Sequence, residues 1–361
     1  MVDMVTYDPE AHGDAWRKFI VEAYKNPNYV LLSPAFLRWQ FLDNPANKTG
    51  AHTLWVVVHD GVVIAQLGIV PFVGSAPDGE RFDGAYPINL IVRPDYQAVG
   101  LGAVLMKRLL KETSCVLNPG SSEAGATLCA GLGMQDLGCL RRYVVATDLE
   151  RAQALATDGR LPSAARVTAA MDETDADAVS PPMRELPDAA PASFAFPLPC
   201  YGALRDRTFM TWRYQAHPGI AYEFLLSHDL GSILVFHEER EPTTGCLVLR
   251  IVDLLADTDA RVPLLAALLR EAGTRGAALV DFFTSTPAYD DALRTTGFFR
   301  EDDADDSRFA ALFQPLDFRK TGIRVLASSP GEQSTTFEQW YVTKADSDQD
   351  RPNDARQIVA E

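Results

Sequence analysis

The run from Ile88 to Leu110, INLIVRPDYQAVGLGAVLMKRLL, constrains the fold more than any other stretch. An apolar strand pattern, Tyr86 to Val92, ends in a tight turn at Arg93-Pro94-Asp95-Tyr96. A helix then opens near Gly100, with glycines at positions 100 and 102. The first-turn N–H groups of a helix have no internal partner, and the helix dipole makes that end electropositive. Glycines there let a phosphate group approach the donors closely. Each charge-assisted hydrogen bond is worth roughly 1.5–3 kcal/mol, so three or four could anchor a nucleotide-like molecule.

The flanking patterns alternate strand and helix. Leu54 to Phe72 reads as a hairpin of two β-branched runs around His59-Asp60-Gly61, Asp-Gly being a hairpin signal. Ala103 to Thr113 has helical period, Cys115 to Asn118 reads as a strand, and Ala124–Ala130 reads as a short helix running into Gly131-Leu132-Gly133. At 361 residues the chain has room for roughly two domains. Residues 1–149 are expected to form the first. Residues 150–200 carry Pro181, Pro182, Pro187, Pro191, Pro197 and Pro199 and the acidic run Met171 to Ala178, which predicts a strap; Ala165 to Met171 reads equally as an edge strand. Residues 201–361 repeat the pattern of the first unit. Phe36 to Pro45 and Phe209 to Pro218 keep aromatic, Trp, aromatic and Pro in register at an offset of 173. Leu247 to Leu255, Arg261 to Ala272 and Ala278 to Phe283 follow as strand, helix and strand, and Pro287 to Thr296 as a helix ending at Gly297.

V-x-P-x-Y after a strand, then Q-x-x-G-x-G-A opening a helix, resembles the acyl-CoA-binding motif of the GCN5-related N-acetyltransferase (GNAT) superfamily. Leu132-Gly133-Met134 is similar to the family's "LGF" ending. The resemblance implies an α+β fold of two tandem GNAT-like domains, each a mixed, mostly antiparallel sheet flanked by helices. It also implies acetyl-CoA or another acyl-CoA along Leu90, Ile91 and Val92, over Gln97, Ala98, Val99, Gly100, Leu101, Gly102 and Ala103, and near Asn118. In the second copy the equivalent loop, Asp253 to Leu265, lacks the glycine pair and carries Asp257 and Asp259, whose charges should repel a pyrophosphate. The whole chain is similar to tandem-GNAT acyltransferases, including those acting on nucleotide-linked amino sugars.

Other classes fit less well. A dinucleotide fingerprint needs a third small residue where this chain has Leu105. Gly120 to Ala124 lacks the final glycine of a serine-hydrolase elbow. A net charge of -16 disfavours nucleic-acid and anionic-membrane partners. Five scattered cysteines, six histidines without ligand spacing, and no long apolar run predict a cytoplasmic protein with no metal, disulfide or membrane span. An oligomer is compatible with the sequence.

The resemblance implies direct transfer from the thioester to a neutral amine, with backbone N–H groups near Val92 holding the developing oxyanion. Many relatives protonate the leaving thiolate with a tyrosine four residues before the glycine of "LGF". Here that position is Cys129. Asn89 and Asp83 are the other candidate catalytic residues, with Glu80 and His59 as further bases. A lysine-type amine of pKa ~10.4 leaves roughly one molecule in a few thousand neutral at pH 7, whereas an amine of pKa ~8 is about a tenth neutral. A site without an evident base therefore favours a weakly basic amine, such as that of a nucleotide-linked amino sugar. A non-catalytic acyl-CoA sensor or scaffold, and an aminoacyl or peptide-modifying transferase, are the alternatives on the same fold.

Overall fold

The computed structural model describes residues 2–165, 178–303, 307–314, 316–318, 322–328 and 335–358. Its strands are β1 (Val2–Thr6), β2 (Leu54–His59), β3 (Val62–Ser75), β4 (Arg81–Val92), β5 (Cys115–Pro119), β6 (Gln135–Cys139), β7 (Arg141–Ala146), β8 (Gly202–Ala203), β9 (Glu223–Leu226), β10 (Ile233–Arg240), β11 (Leu247–Leu255), β12 (Leu279–Thr284), β13 (Phe299–Arg300), β14 (Leu312–Phe313), β15 (Leu316–Asp317) and β16 (Arg324–Ala327). The α-helices are α1 (Pro9–Tyr24), α2 (Pro34–Phe41), α3 (Pro94–Gln97), α4 (Leu101–Glu112), α5 (Glu123–Gly131), α6 (Leu149–Gln153), α7 (Arg207–Met210), α8 (Thr258–Arg275) and α9 (Asp290–Thr295).

Two sheets carry the fold. The first runs β1-β2-β3-β4-β5-β16-β6, with β8 added on β3; the second runs β13-β7-β12-β11-β10-β9. Each contains one parallel pair, β4 with β5 and β11 with β12, bridged by α4 and α8 respectively. A parallel pair needs a long crossover, and an amphipathic helix supplies it. In α4 the buried face is Leu105, Met106 and Leu109, the stripe its period predicts. The expected hairpin closes at Asp60 and Gly61, both in the left-handed region with φ 49° and 78°, as a two-residue turn matched to strand twist demands.

The sheets do not divide where the composition changes. β7 pairs with β12 and β13 in the second sheet. β16 pairs with β5 and β6 in the first. Each half therefore lends one strand to the other at the same place, next to the second strand of the parallel pair. In the proline-rich stretch, Val179 and Met183 bridge to Ser227 and Phe224 beside β9. Of the candidate edge strand from Ala165 to Met171, all but Ala165 lies outside the described residues. So do residues 171–177 of the acidic run and 304–306 of the loop after β13.

Aromatic packing ties the layers. On β3 and β4, Phe72 faces Gly84 and Gly74 faces Phe82; a Cβ on either glycine would collide with the opposite ring. The repeated aromatic segments meet face to face, with Trp39 of α2 stacked on Trp212 at a centroid distance of 5.1 Å. Arg38 pairs with Asp43, while the buried Arg213 is satisfied by the carbonyls of Ala345 and Asp350. Among the described residues, no helix is long and apolar enough to cross a membrane.

Candidate active site

The site begins with a defect in β4. Ile88 pairs with Gly68 and Ile91 with Gln66, so Asn89 and Leu90 together face the single residue Leu67. That is a β-bulge, which re-aims a strand locally. Asn89 takes the left-handed conformation, φ 49°, and Asn tolerates it better than other residues with a Cβ. A chain of buried polar groups holds it there. Trp16 Nε1 donates to Gln66 Oε1 at 2.7 Å, and Gln66 Nε2 donates to the Asn89 carbonyl at 3.1 Å. The Asn89 Oδ1 accepts from the hydroxyls of Tyr24 (2.6 Å) and Tyr29 (3.3 Å), whose rings are stacked.

Beyond the bulge the strands part. The parallel pairing of β4 with β5 ends at Ala85 and Val116, and a cleft of about 780 Å³ opens past that point. Asn89, Leu90, Ile91, Val92, Gln97, Gly100, Gly102, Ala103, Asn118 and Cys129 all line it. Ala98, Val99 and Leu101 belong to the same turn without lining the cleft. Gln97 Nε2 donates to the Val92 carbonyl at 3.2 Å, pinning the turn to the strand end. Gly100 is the N-cap of α4 in the left-handed region, φ 76°, and no side chain caps the helix. The first-turn donors are thus left for a ligand. At Gly102 a Cβ would meet Leu90, Val92 and Leu128 only at ordinary contact distance.

Asn118 Nδ2 donates to the Cys129 sulfur at 3.3 Å. Burial pushes the Cys129 thiol above its usual range, and the Asn118 hydrogen bond only partly opposes that. The group is therefore a protonated thiol at neutral pH, able to donate a proton and poor as a nucleophile.

Asp83 is not brought to the cleft. It sits six residues before Asn89 on an extended strand, roughly 20 Å away at the usual rise. Its carboxylate pairs with Lys48 Nζ at 2.7 Å on the open surface. Glu80 lies in the β3–β4 turn, and the His59 ring bonds the Tyr96 hydroxyl at 2.8 Å; neither lines the cleft. Sequence reasoning missed Tyr24, Gly120, Ser121, Ser122 and Gln349, which line it together with Asp348. The available signal was Gly120-Ser121-Ser122, a strand end followed by a helix cap: Ser122 Oγ accepts from the Gly125 N–H of α5.

Among the described residues, the parallel pair of the second copy shows no such parting. β11 stays paired with β12 through Ile251 and Phe282. Past that pair, the Tyr341 hydroxyl accepts the Leu254 N–H at 3.2 Å and lies 2.7 Å from Asp253 Oδ1. Arg205 and Tyr214 both donate to Asp253 Oδ2 at 2.7 Å. Asp257 and Asp259 stand at the start of α8 as expected. The acidic residues near the end of the chain form a clasp: Asp346 pairs with Arg205, Asp348 with Arg351, and Asp350 with His237. Among the described residues, no group of three or more His, Cys, Asp or Glu is placed to hold a metal.

Residues 14–115 match the acetyltransferase (GNAT) family. This is a GNAT fold. Similar solved structures include a GCN5-related N-acetyltransferase from Anabaena variabilis, 12% identical with a TM-score of 0.56, covering 92% of this chain and 73% of that one. Another, from Kribbella flavida, is 15% identical with a TM-score of 0.54, covering 91% of this chain and 72% of that one. The GNAT likeness thus spans both sheets, while the family match lies in the half that carries the cleft. A search of curated proteins finds no match.

Proposed function

We propose that the protein is an N-acyltransferase that moves an acyl group from acyl-CoA to the primary amine of a small molecule, with a nucleotide-linked amino sugar the preferred acceptor. The observation that carries this is the parting of β4 and β5 beside an uncapped, glycine-opened helix, in the half that matches an acetyltransferase family. The residues present fit an acyl-CoA: Leu90 to Val92 supply an extended edge for a pantetheine arm, and the first turn of α4 supplies donors for a pyrophosphate. Acyl-CoA, when bound, supplies the thioester carbonyl. The neutral amine forms the new C–N bond as the C–S bond breaks and releases its surplus proton to solvent, and backbone N–H groups near the bulge hold the charge that develops on oxygen, a contribution of several kcal/mol when donors are preorganised. Asn89 sets that backbone, Asn118 orients Cys129, and Cys129 delivers a proton to the leaving thiolate. Among the described residues, the carboxylate lining the cleft is Asp348, already paired with Arg351, so a weakly basic amine suits the site better than a lysine.

Calorimetric titration with acetyl-CoA tests the reading, beside a Gly102→Glu variant. That position has ordinary φ and a Cβ there meets its neighbours only at ordinary contact distance, so the variant adds a negative charge at the helix N-terminus without backbone strain. Micromolar binding in the wild type, weakened at least thirtyfold in the variant, supports the proposal. No binding by the wild type overturns it. Binding without thioester turnover across amine acceptors would instead favour an acyl-CoA sensor.

A further inference from the structure

A second cavity, about 660 Å³, adjoins the first, and Gly120, Asp348 and Gln349 line both. About half of its lining residues carry ionisable side chains. Every carboxylate on it already has a cation: Glu223 and Glu238 pair with Arg275, Glu239 with Arg250, Asp348 with Arg351, and Asp350 with His237. Five carboxylates face five Lys and Arg side chains, yet two of those cations have no ion pair among the described residues. Lys344 lines the cavity, is only 2% exposed, and has no hydrogen bond or ion pair among the described residues. Its ammonium lies 5.2 Å from the centre of the Phe283 ring. Arg184, exposed at the cavity rim, likewise has no ion pair among the described residues.

Burying a lysine without a direct ion-pair partner is costly, and proteins avoid it unless something compensates. Here burial and the neighbouring Arg250 push the Lys344 pKa down to about 8, against the upward pull of Asp350, Asp281 and Glu239. An anion in the cavity would give Lys344 the direct partner it lacks.

We propose that this cavity is the acceptor site and that the acceptor is an amine bearing an anionic group, carboxylate or phosphate, received by Lys344. This rests on the N-acyltransferase reading and narrows its substrate class. The acceptor would lie with its anionic end against β10, β11 and Lys344, and its amine toward Gly120 and Gln349, where the two cavities meet. The partition also explains why the GNAT cleft itself offers so little charge: the acceptor is held from the far side.

The test uses the full chain and two probes, inorganic pyrophosphate and succinate, titrated by calorimetry into the wild type and Lys344→Met. Acetyl-CoA is titrated into the same preparations. In parallel, reductive methylation of the wild type, read residue by residue by mass spectrometry, measures protection of Lys344. The expected result is that at least one probe binds, protects Lys344, and binds tenfold or more weakly to Lys344→Met, while acetyl-CoA binds both proteins alike. Pyrophosphate alone points to a phosphorylated or nucleotide-linked acceptor, and succinate alone to a carboxylated one. Acetyl-CoA binding with neither probe binding overturns the proposal, as does probe binding that neither protects Lys344 nor weakens in the variant. Failure of acetyl-CoA to bind strikes the N-acyltransferase reading instead. The methylation experiment needs no variant to fold.

Discussion

Trp39 and Trp212, 173 residues apart, exchange hydrogen bonds: each indole Nε1 donates to the other's main-chain carbonyl, at 2.9 and 3.0 Å. The rings stack at 17° between them. Two copies of one segment thus meet across an approximate two-fold axis, each doing for the other what it receives. A double-mutant cycle of Trp39→Ala and Trp212→Ala, followed by denaturant unfolding, should show each single change costing about 3 kcal/mol. The coupling between them should be roughly 1–3 kcal/mol. Additive losses would mean that the two rings merely fill separate space.

Asp83 offers a sharper contrast. Its carboxylate and the Lys48 ammonium are 61% and 69% exposed, and exposed pairs contribute about 0–1 kcal/mol. Asp83→Asn should leave acetyl-CoA binding and turnover within twofold of the wild type and barely move the unfolding midpoint. A tenfold fall in kcat would return the residue to the reaction.

Cys129 should behave as a protonated group. Because burial raises its pKa, the thiol form persists through neutral pH and is lost only as the pH climbs past the raised value. Turnover that depends on it should therefore hold on the acid side and fall on the alkaline side. Cys129→Ala should lower kcat with little change in acetyl-CoA affinity and abolish that alkaline limb. An unchanged pH–rate profile in the variant would remove the thiol from the reaction.

Gly120 separates steric from backbone strain. It lies at φ 79°, and a Cβ there would collide with the Gln349 side-chain amide, which donates to the Pro119 carbonyl at 3.1 Å. Gly120→Ala should destabilise the protein by about 2–3 kcal/mol, of which roughly 1–2 is the cost of a left-handed alanine. In a Gln349→Ala background only that smaller part should remain. Thermal unfolding of the four proteins would show equal losses if the two residues do not meet.

How much of this was legible in the residues follows from the range of each interaction. The hairpin at Asp60-Gly61 and the strand–turn–helix at Ile88 to Leu110 are local: turn chemistry and hydrophobic period act within a few residues. The aromatic repeat was legible too, because both copies are written out. The exchange of β7 and β16 was not, since an alternating apolar strand carries no mark of which sheet will take it. Asp83 went astray because a place on the correct strand says nothing about distance along it. Lys344 and Gln349 reach the cavities only through tertiary packing, and Tyr341 fills the second copy's gap from nearly ninety positions beyond Leu254.

The lent strands also set an order in time. A ribosome delivers β5 long before β16, its neighbour in the sheet, has been made. Until residues 324–327 emerge, the nascent first half must keep that strand edge unpaired, exposed to other chains. β7 meanwhile waits for β12, itself more than a hundred residues away. The first half thus cannot close its sheet during its own synthesis. The two copies are therefore born as one cooperative unit, and severing the proline-rich stretch between them would yield two unfinished halves rather than two working modules.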